Sequence, residues 1–144
     1  MPFDATPVVR SPLPDNIAAQ SVLVLDMVEL YFRGGAQWAQ GIGSETGTHL
    51  CLLGAIQFVR QELGNCEDRA AQYLERVVDL KYPQCRKRLA KAFLGIGVAP
   101  KTVDVITNFN DARSRAFAEI VDVLHRAKEM AKADASAAAA CHDS

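Results

Sequence analysis

The sequence predicts an all-α protein, a single compact bundle of about five to six helices with flexible ends. Two observations carry this expectation. Between two tails, apolar residues recur at three- and four-residue spacing. Glycine, proline and side-chain capping residues also stand where such helices need to start and stop. The β-rich stretch from Val22 to Leu25 is embedded in the same helical period, so it is not read as a strand.

The elements follow in order. Residues 1–14 hold Pro2, Pro7, Pro12 and Pro14 without apolar periodicity and read as an extended, poorly ordered arm. Residues 15–132 form the helical domain. Asp15 or Asn16 caps a first helix whose inner side carries Ile17, Ser21, Val24, Val28 and Tyr31, widened by Val22, Leu25 and Phe32. Gly34-Gly35 ends it, because glycine adopts left-handed backbone angles at little cost. Ala36 to Gly47 is a glycine-rich loop carrying Trp38. Thr48 caps a second helix with Leu52, Ala55, Ile56, Val59 and Leu63 at core spacing, stopped by Gly64.

A third helix opens near Asn65, with Glu67 and Asp68 in its first turn, where carboxylates favour the positive helix end. Its stripe is Ala70, Tyr73, Leu74, Val77 and Val78, and Pro83 terminates it. A short basic helix covers Gln84 to Leu94, stopped by Gly95 and Gly97. Pro100 opens a fifth helix containing Val103 and Ile106. The last helix starts at Asp111 or Ser114 and turns Phe117, Ile120, Val121, Val123, Leu124 and Ala127 inward as far as Ala131. Residues 133–144 read as a fraying, disordered alanine-rich tail.

Size and composition set limits on function. The 144 residues suit one domain that buries roughly 68% of the surface its unfolded chain exposes. No apolar run approaches the ~20 residues that a spanning helix needs. Sixteen basic and seventeen acidic side chains leave the whole chain near neutral, which argues for neither nucleic acid nor a membrane surface as partner. The four cysteines, Cys51, Cys66, Cys85 and Cys141, form no Cys-x-x-Cys pair. His49 and Cys51 lie two apart without a second ligand cluster. The expectation is a reduced, cytoplasmic protein with no metal and no cofactor.

Three segments are candidates for chemistry. Cys51, placed in a first helical turn, with His49 as base and Asp111 or Asn110 to orient it, makes a cysteine-hydrolase constellation. The structural reading of the same residues is a packed joint, with the sulfur between helices and Gly54 and Ala55 admitting a close neighbour. Trp38, Gln40, Asn110 and Asp111 are the candidate binding residues, expected to converge on one groove with Asn110-Asp111 in a turn. From Lys81 to Lys101 no acidic residue interrupts the basic set, whose face carries Arg86, Lys87, Arg88 and Lys91. That face is a candidate for weak nucleic-acid binding or a solvated surface. His125 and His142 are read as surface residues without a partner.

The segments Trp38-Ala39-Gln40-Gly41, Cys51-Leu52-Leu53-Gly54-Ala55 and Phe109-Asn110-Asp111, in that order, resemble the family filed as domain of unknown function 6197. The resemblance covers about residues 22–130. It implies an opening helix, a Trp-x-Gln-Gly segment, Cys-x-x-Gly-Ala, and an aromatic-Asn-Asp turn before a closing helix. In that family the turn continues through Pro and Gly to an Arg-Thr pair whose Thr caps the last helix. Here the corresponding run is Arg113-Ser114-Arg115-Ala116, so the resemblance implies a displaced cap, at Ser114 or Asp111. The resemblance implies no established activity. The expected function is a protein-binding or regulatory module without catalysis, working with a protein partner or by self-association and without a membrane.

Overall fold

The computed structural model of the protein describes Pro14, residues 16–41 and residues 49–142. Its described residues form six α-helices: α1 (Ile17–Phe32), α2 (Leu52–Glu62), α3 (Ala70–Lys81), α4 (Gln84–Phe93), α5 (Thr102–Asp111) and α6 (Phe117–His142). Single 3₁₀ turns follow α1 at Arg33–Gly35 and α4 at Leu94–Ile96. The all-α expectation holds. Among the described residues no helix is long and apolar enough to cross a membrane.

The apolar periodicity of each helix becomes its buried stripe. On α1 the stripe is Val24, Leu25, Val28 and Phe32. Those on α2 and α3 are Leu52, Ala55, Ile56 and Val59, and Ala70, Tyr73, Leu74, Val77 and Val78. α6 contributes Ile120, Val123, Leu124, Ala127 and Ala131. The long α6 packs against α1 and α3, α1 against α2, and α3 and α4 against α5.

Several boundaries differ from the sequence reading, each for a local reason. The entry of α1 is an expected one: Asn16 caps it, its Oδ1 accepting from Ala19 N–H at 2.6 Å. α1 stops at Arg33, which itself takes the left-handed conformation (φ 48°), so the glycine pair follows the stop. Thr48 lies outside the described residues, and the cap of α2 is Cys51, whose Sγ accepts from Gly54 N–H at 3.4 Å. α3 begins at Ala70, not Asn65, because Gly64 and Asn65 both take positive φ (80° and 58°) and turn the chain. Its entry is held by two side chains from outside the helix. Asp68 Oδ1 accepts from Ala70 N–H, and Ser21 Oγ on α1 accepts from Arg69 N–H.

α5 begins after Lys101, whose N–H donates to Asp104 Oδ2 at 2.8 Å, so Pro100 precedes the helix rather than opening it. α5 also continues through Asn110 and Asp111, which are its last turn and not a free-standing turn. Neither Ser114 nor Asp111 caps α6. Glu119 does so from inside, its Oε1 accepting from Ala116 N–H at 2.9 Å. α6 is helical through His142, beyond the expected end at 132. Of the expected arm over residues 1–14, all but Pro14 lies outside the described residues.

Candidate functional site

Asn110 organises the region where the three motif segments meet. Its side chain is fully buried near the end of α5. Oδ1 accepts from the Trp38 indole Nε1–H at 2.8 Å and from Leu52 N–H at 3.1 Å. Nδ2 donates to Ala39 O at 3.1 Å and to Asp111 Oδ1 at 2.8 Å. A primary amide has two donor hydrogens and two acceptor sites, and all four are used. One side chain therefore ties the loop after α1, the start of α2 and the end of α5 together.

The neighbouring residues complete the junction. Gln40 Nε2 donates to Asn110 O at 3.0 Å and Ala112 O at 2.8 Å, satisfying carbonyls that the end of α5 leaves open. Gly41 N–H donates to Asp111 Oδ1 at 2.8 Å. An isolated parallel bridge pairs Trp38 with Leu50 through Ala39 N–H to Leu50 O (3.0 Å) and Leu50 N–H to Gln37 O (2.9 Å). The Trp38 ring is half-buried and lies 5.7 Å from the Phe117 ring at the start of α6. Gln40 and Asp111 remain exposed on the solvent side. The structure thus brings Trp38, Gln40, Asn110 and Asp111 together, in a hydrogen-bonded knot rather than around a groove.

Cys51 and His49 sit at the edge of this knot, both half-buried. Because Cys51 is the cap, its sulfur engages Gly54 N–H and is not sealed between two helices. The nearest atoms to a Cβ built on Gly54 are Cys51 Sγ and Leu50 Cβ, each at 3.6 Å, so Gly54 makes room for its own helix entry and not for a second helix. The Asp111 carboxylate is occupied by Gly41 N–H and Asn110 Nδ2. His125 does have a partner: its Nε2 lies 2.8 Å from Glu29 Oε1, linking α6 to α1. Among the described residues no group of three or more His, Cys, Asp or Glu could hold a metal ion.

A second keystone was not legible in the sequence. Arg115, only 9% exposed, donates from Nε to Phe109 O at 2.8 Å and from Nη1 to Glu119 Oε2 at 2.9 Å. Its guanidinium also lies 4.1 Å from the Phe109 ring centre and 4.5 Å from that of Tyr82. It joins the ends of α5 and α6 where the motif comparison expects a threonine cap. The Arg113-Ser114-Arg115 run was its only signal.

Two of the depressions around these elements bear on function. One of about 570 Å³ lies between α2, α3 and α5, lined by Gln57, Arg60, Cys66, Asp68 and Gln72 among others. Arg60 fills its polar side with a two-bond pair to Asp68 at 2.7 and 3.1 Å. Burial, with Asp68 beside it, pushes the Cys66 thiol up and keeps it protonated, which makes it a poor nucleophile. The other, about 470 Å³, runs between α1 and α2 and is lined by Met27, Leu30, Tyr31, Arg33, Phe58 and Val59, with Gln37 next to Trp38 at its end. Leu30 is 70% and Phe58 42% exposed there, and the Tyr31 and Phe58 rings stand 5.1 Å apart.

On the basic segment, Arg86 is drawn into the fold, paired with Glu75 and with Asp79, the latter at 2.9 Å. Lys81 pairs with Asp122 on α6. Lys87, Arg88 and Lys91 are exposed and form no salt bridge among the described residues.

No curated protein and no solved structure matches the chain. A family of unknown function matches it over residues 24–130, a span that contains the three motif segments, the junction from Trp38 to Glu119 and most of the core. The segments that first suggested a family are the ones that meet at Asn110, and the chain belongs to that family of unknown function, DUF6197.

Proposed function

We propose that the protein is a protein-binding or regulatory module without catalysis, in which the family motifs build the scaffold and the α1–α2 groove receives the partner. The observation that carries this reading is the buried amide of Asn110, whose four hydrogen bonds all end inside the chain. A group saturated in this way has no remaining capacity to bind substrate. The carboxylate of Asp111 and the sulfur of Cys51 face backbone amides in the same junction, which supports a structural use of the residues that would make a hydrolase. The groove alongside offers a different surface. Leu30 and Phe58 are large apolar side chains held open to solvent, with Arg33 and Glu62 among the charged groups at its rim. That chemistry suits the apolar face of a partner helix with polar flanks. A cytoplasmic setting agrees with the free thiols of Cys51, Cys66 and Cys85.

The test uses the full chain, cross-linked in lysate of its source cells. A defined protein should be captured, and Leu30→Glu should weaken that capture about tenfold while leaving melting unchanged. Capture that Leu30→Glu leaves intact overturns the groove assignment. Repeated turnover of p-nitrophenyl acetate, abolished by Cys51→Ser, overturns the non-catalytic reading.

A further inference from the structure

We infer that the tip formed by α4 and the following 3₁₀ turn docks on an anionic lipid surface. This inference rests on residues away from the Asn110 junction and the α1–α2 groove, and does not depend on the function proposed for them. Lys87, Lys91 and Leu94 follow one another at helical i, i+4, i+7 spacing, so they share a face, with Arg88 beside them. All three cations are exposed and have no carboxylate partner among the described residues. The chain then presents Leu94, Ile96 and Val98, exposed to 81%, 69% and 49%. Gly95 and Gly97 separate these aliphatic side chains, and Gly97 turns the chain in the left-handed conformation (φ 67°).

The exposures decide what kind of surface fits. Leu94, open to 81%, projects together with Ile96 and Val98 from the tip after α4, so a shaped protein partner would need a matching hollow, whereas a bilayer yields to any projecting side chain. Duplex or single-stranded nucleic acid would be met by cations and aromatic or hydrogen-bonding groups, and three bare aliphatics add nothing to such a contact. Cations set behind short aliphatics are the arrangement of an interfacial anchor. The side chains enter the acyl boundary while Lys87, Arg88 and Lys91 meet the lipid phosphates and carboxylates. The near-neutral balance of the whole chain conceals this local charge, because no acidic residue falls between Lys81 and Lys101.

The experiment is flotation of the full-length protein with vesicles of phosphatidylcholine alone and of phosphatidylcholine containing phosphatidylserine. Binding is expected only to the second, weakening as salt rises. The combined variant Lys87→Gln, Arg88→Gln, Lys91→Gln should lose roughly a hundredfold in affinity. The separate pair Leu94→Gln, Ile96→Gln, with every cation kept, should lose about tenfold or more. Circular dichroism should show the helix content of both variants unchanged. Absence of binding to the anionic vesicles overturns the inference, as does equal binding to both vesicle types. Binding that the Leu94→Gln, Ile96→Gln pair leaves intact, and that duplex DNA competes away, assigns the face to polyanions generally and also overturns it.

Discussion

Removing the Asn110 side chain would strand the indole N–H of Trp38, the amide of Leu52 and the carbonyl of Ala39 in a buried place. Unmet buried polar groups cost about 1–3 kcal/mol each, so Asn110→Ala is expected to lose about 3 kcal/mol or more in denaturant unfolding. Trp38→Phe keeps most of the ring packing and loses one hydrogen bond, with an expected cost of about 1–2 kcal/mol. Cys51 offers a sharper contrast. Because its sulfur serves as a helix cap, Cys51→Ser supplies a better acceptor and should hold or raise stability, whereas Cys51→Ala should lose about 1 kcal/mol. Gly54→Ala should be neutral or stabilising by up to about 1 kcal/mol, since the added methyl makes ordinary contacts at 3.6 Å. A large loss of melting temperature in Gly54→Ala would restore the idea that a second helix needs that space. At this scale the sequence showed which residues mattered but not how. Trp38, Gln40, Asn110 and Asp111 stand out by type, yet the bonds among them cross about 70 residues of chain, and no local pattern encodes such a pairing.

Helix interiors were more legible than helix entries, of which those of α1 at Asn16 and α4 at Gln84 were read. All five expected core positions of α3, from Ala70 to Val78, are buried, because a three-four spacing that covers one face admits only one way to pack. The starts of α3, α5 and α6 differ from the sequence reading because their capping acceptors are unexpected ones: Ser21 on another helix, Asp104 from within, and Glu119, itself held by Arg115. The Glu119 entry carries a pH signature. The Ala116 N–H donating to its carboxylate, with Arg115 beside it, holds Glu119 below the usual carboxylate range despite burial. A carboxyl group with a depressed folded pKa stabilises above its unfolded value near 4.5, and that contribution disappears as pH falls through the folded value. Glu119→Gln should therefore lower stability at neutral pH and flatten the acid limb of the stability curve. The opposite limb belongs to α3 and α6. Burial, aided by the bond from Tyr73 Oη to Asp134 Oδ2 at 2.6 Å, pushes the Tyr73 phenol up to about 12. Folding there favours the protonated form, so its contribution is complete below pH 10 and is lost as pH rises towards 12. Ultraviolet titration of Asp134→Asn should show that phenol ionising at lower pH. The same bond gives the C-terminal part of α6 an anchor at a position where composition alone suggested only fraying.

For the whole molecule, the sequence conveyed the class and helix number because six amphipathic segments with little else leave few architectures open. It did not convey the distribution of charge in space. Arg86, counted with the basic face, is neutralised by Glu75 and Asp79, while Lys87, Arg88 and Lys91 stay open. An average over the chain contains neither fact. The run of aliphatics punctuated by Gly95 and Gly97 is the readable hint, although glycines near a helix end also suffice as a stop. Long-range dependence also shapes how the chain emerges during synthesis. Trp38 is joined by Asn110, 72 positions later, and ribosomes add about 5–20 residues per second. For roughly 4–14 s on that scale, a newborn chain holds its first two helices without the amide that will join them. During that interval the indole N–H lacks the acceptor that the folded chain gives it, and water must fill that place.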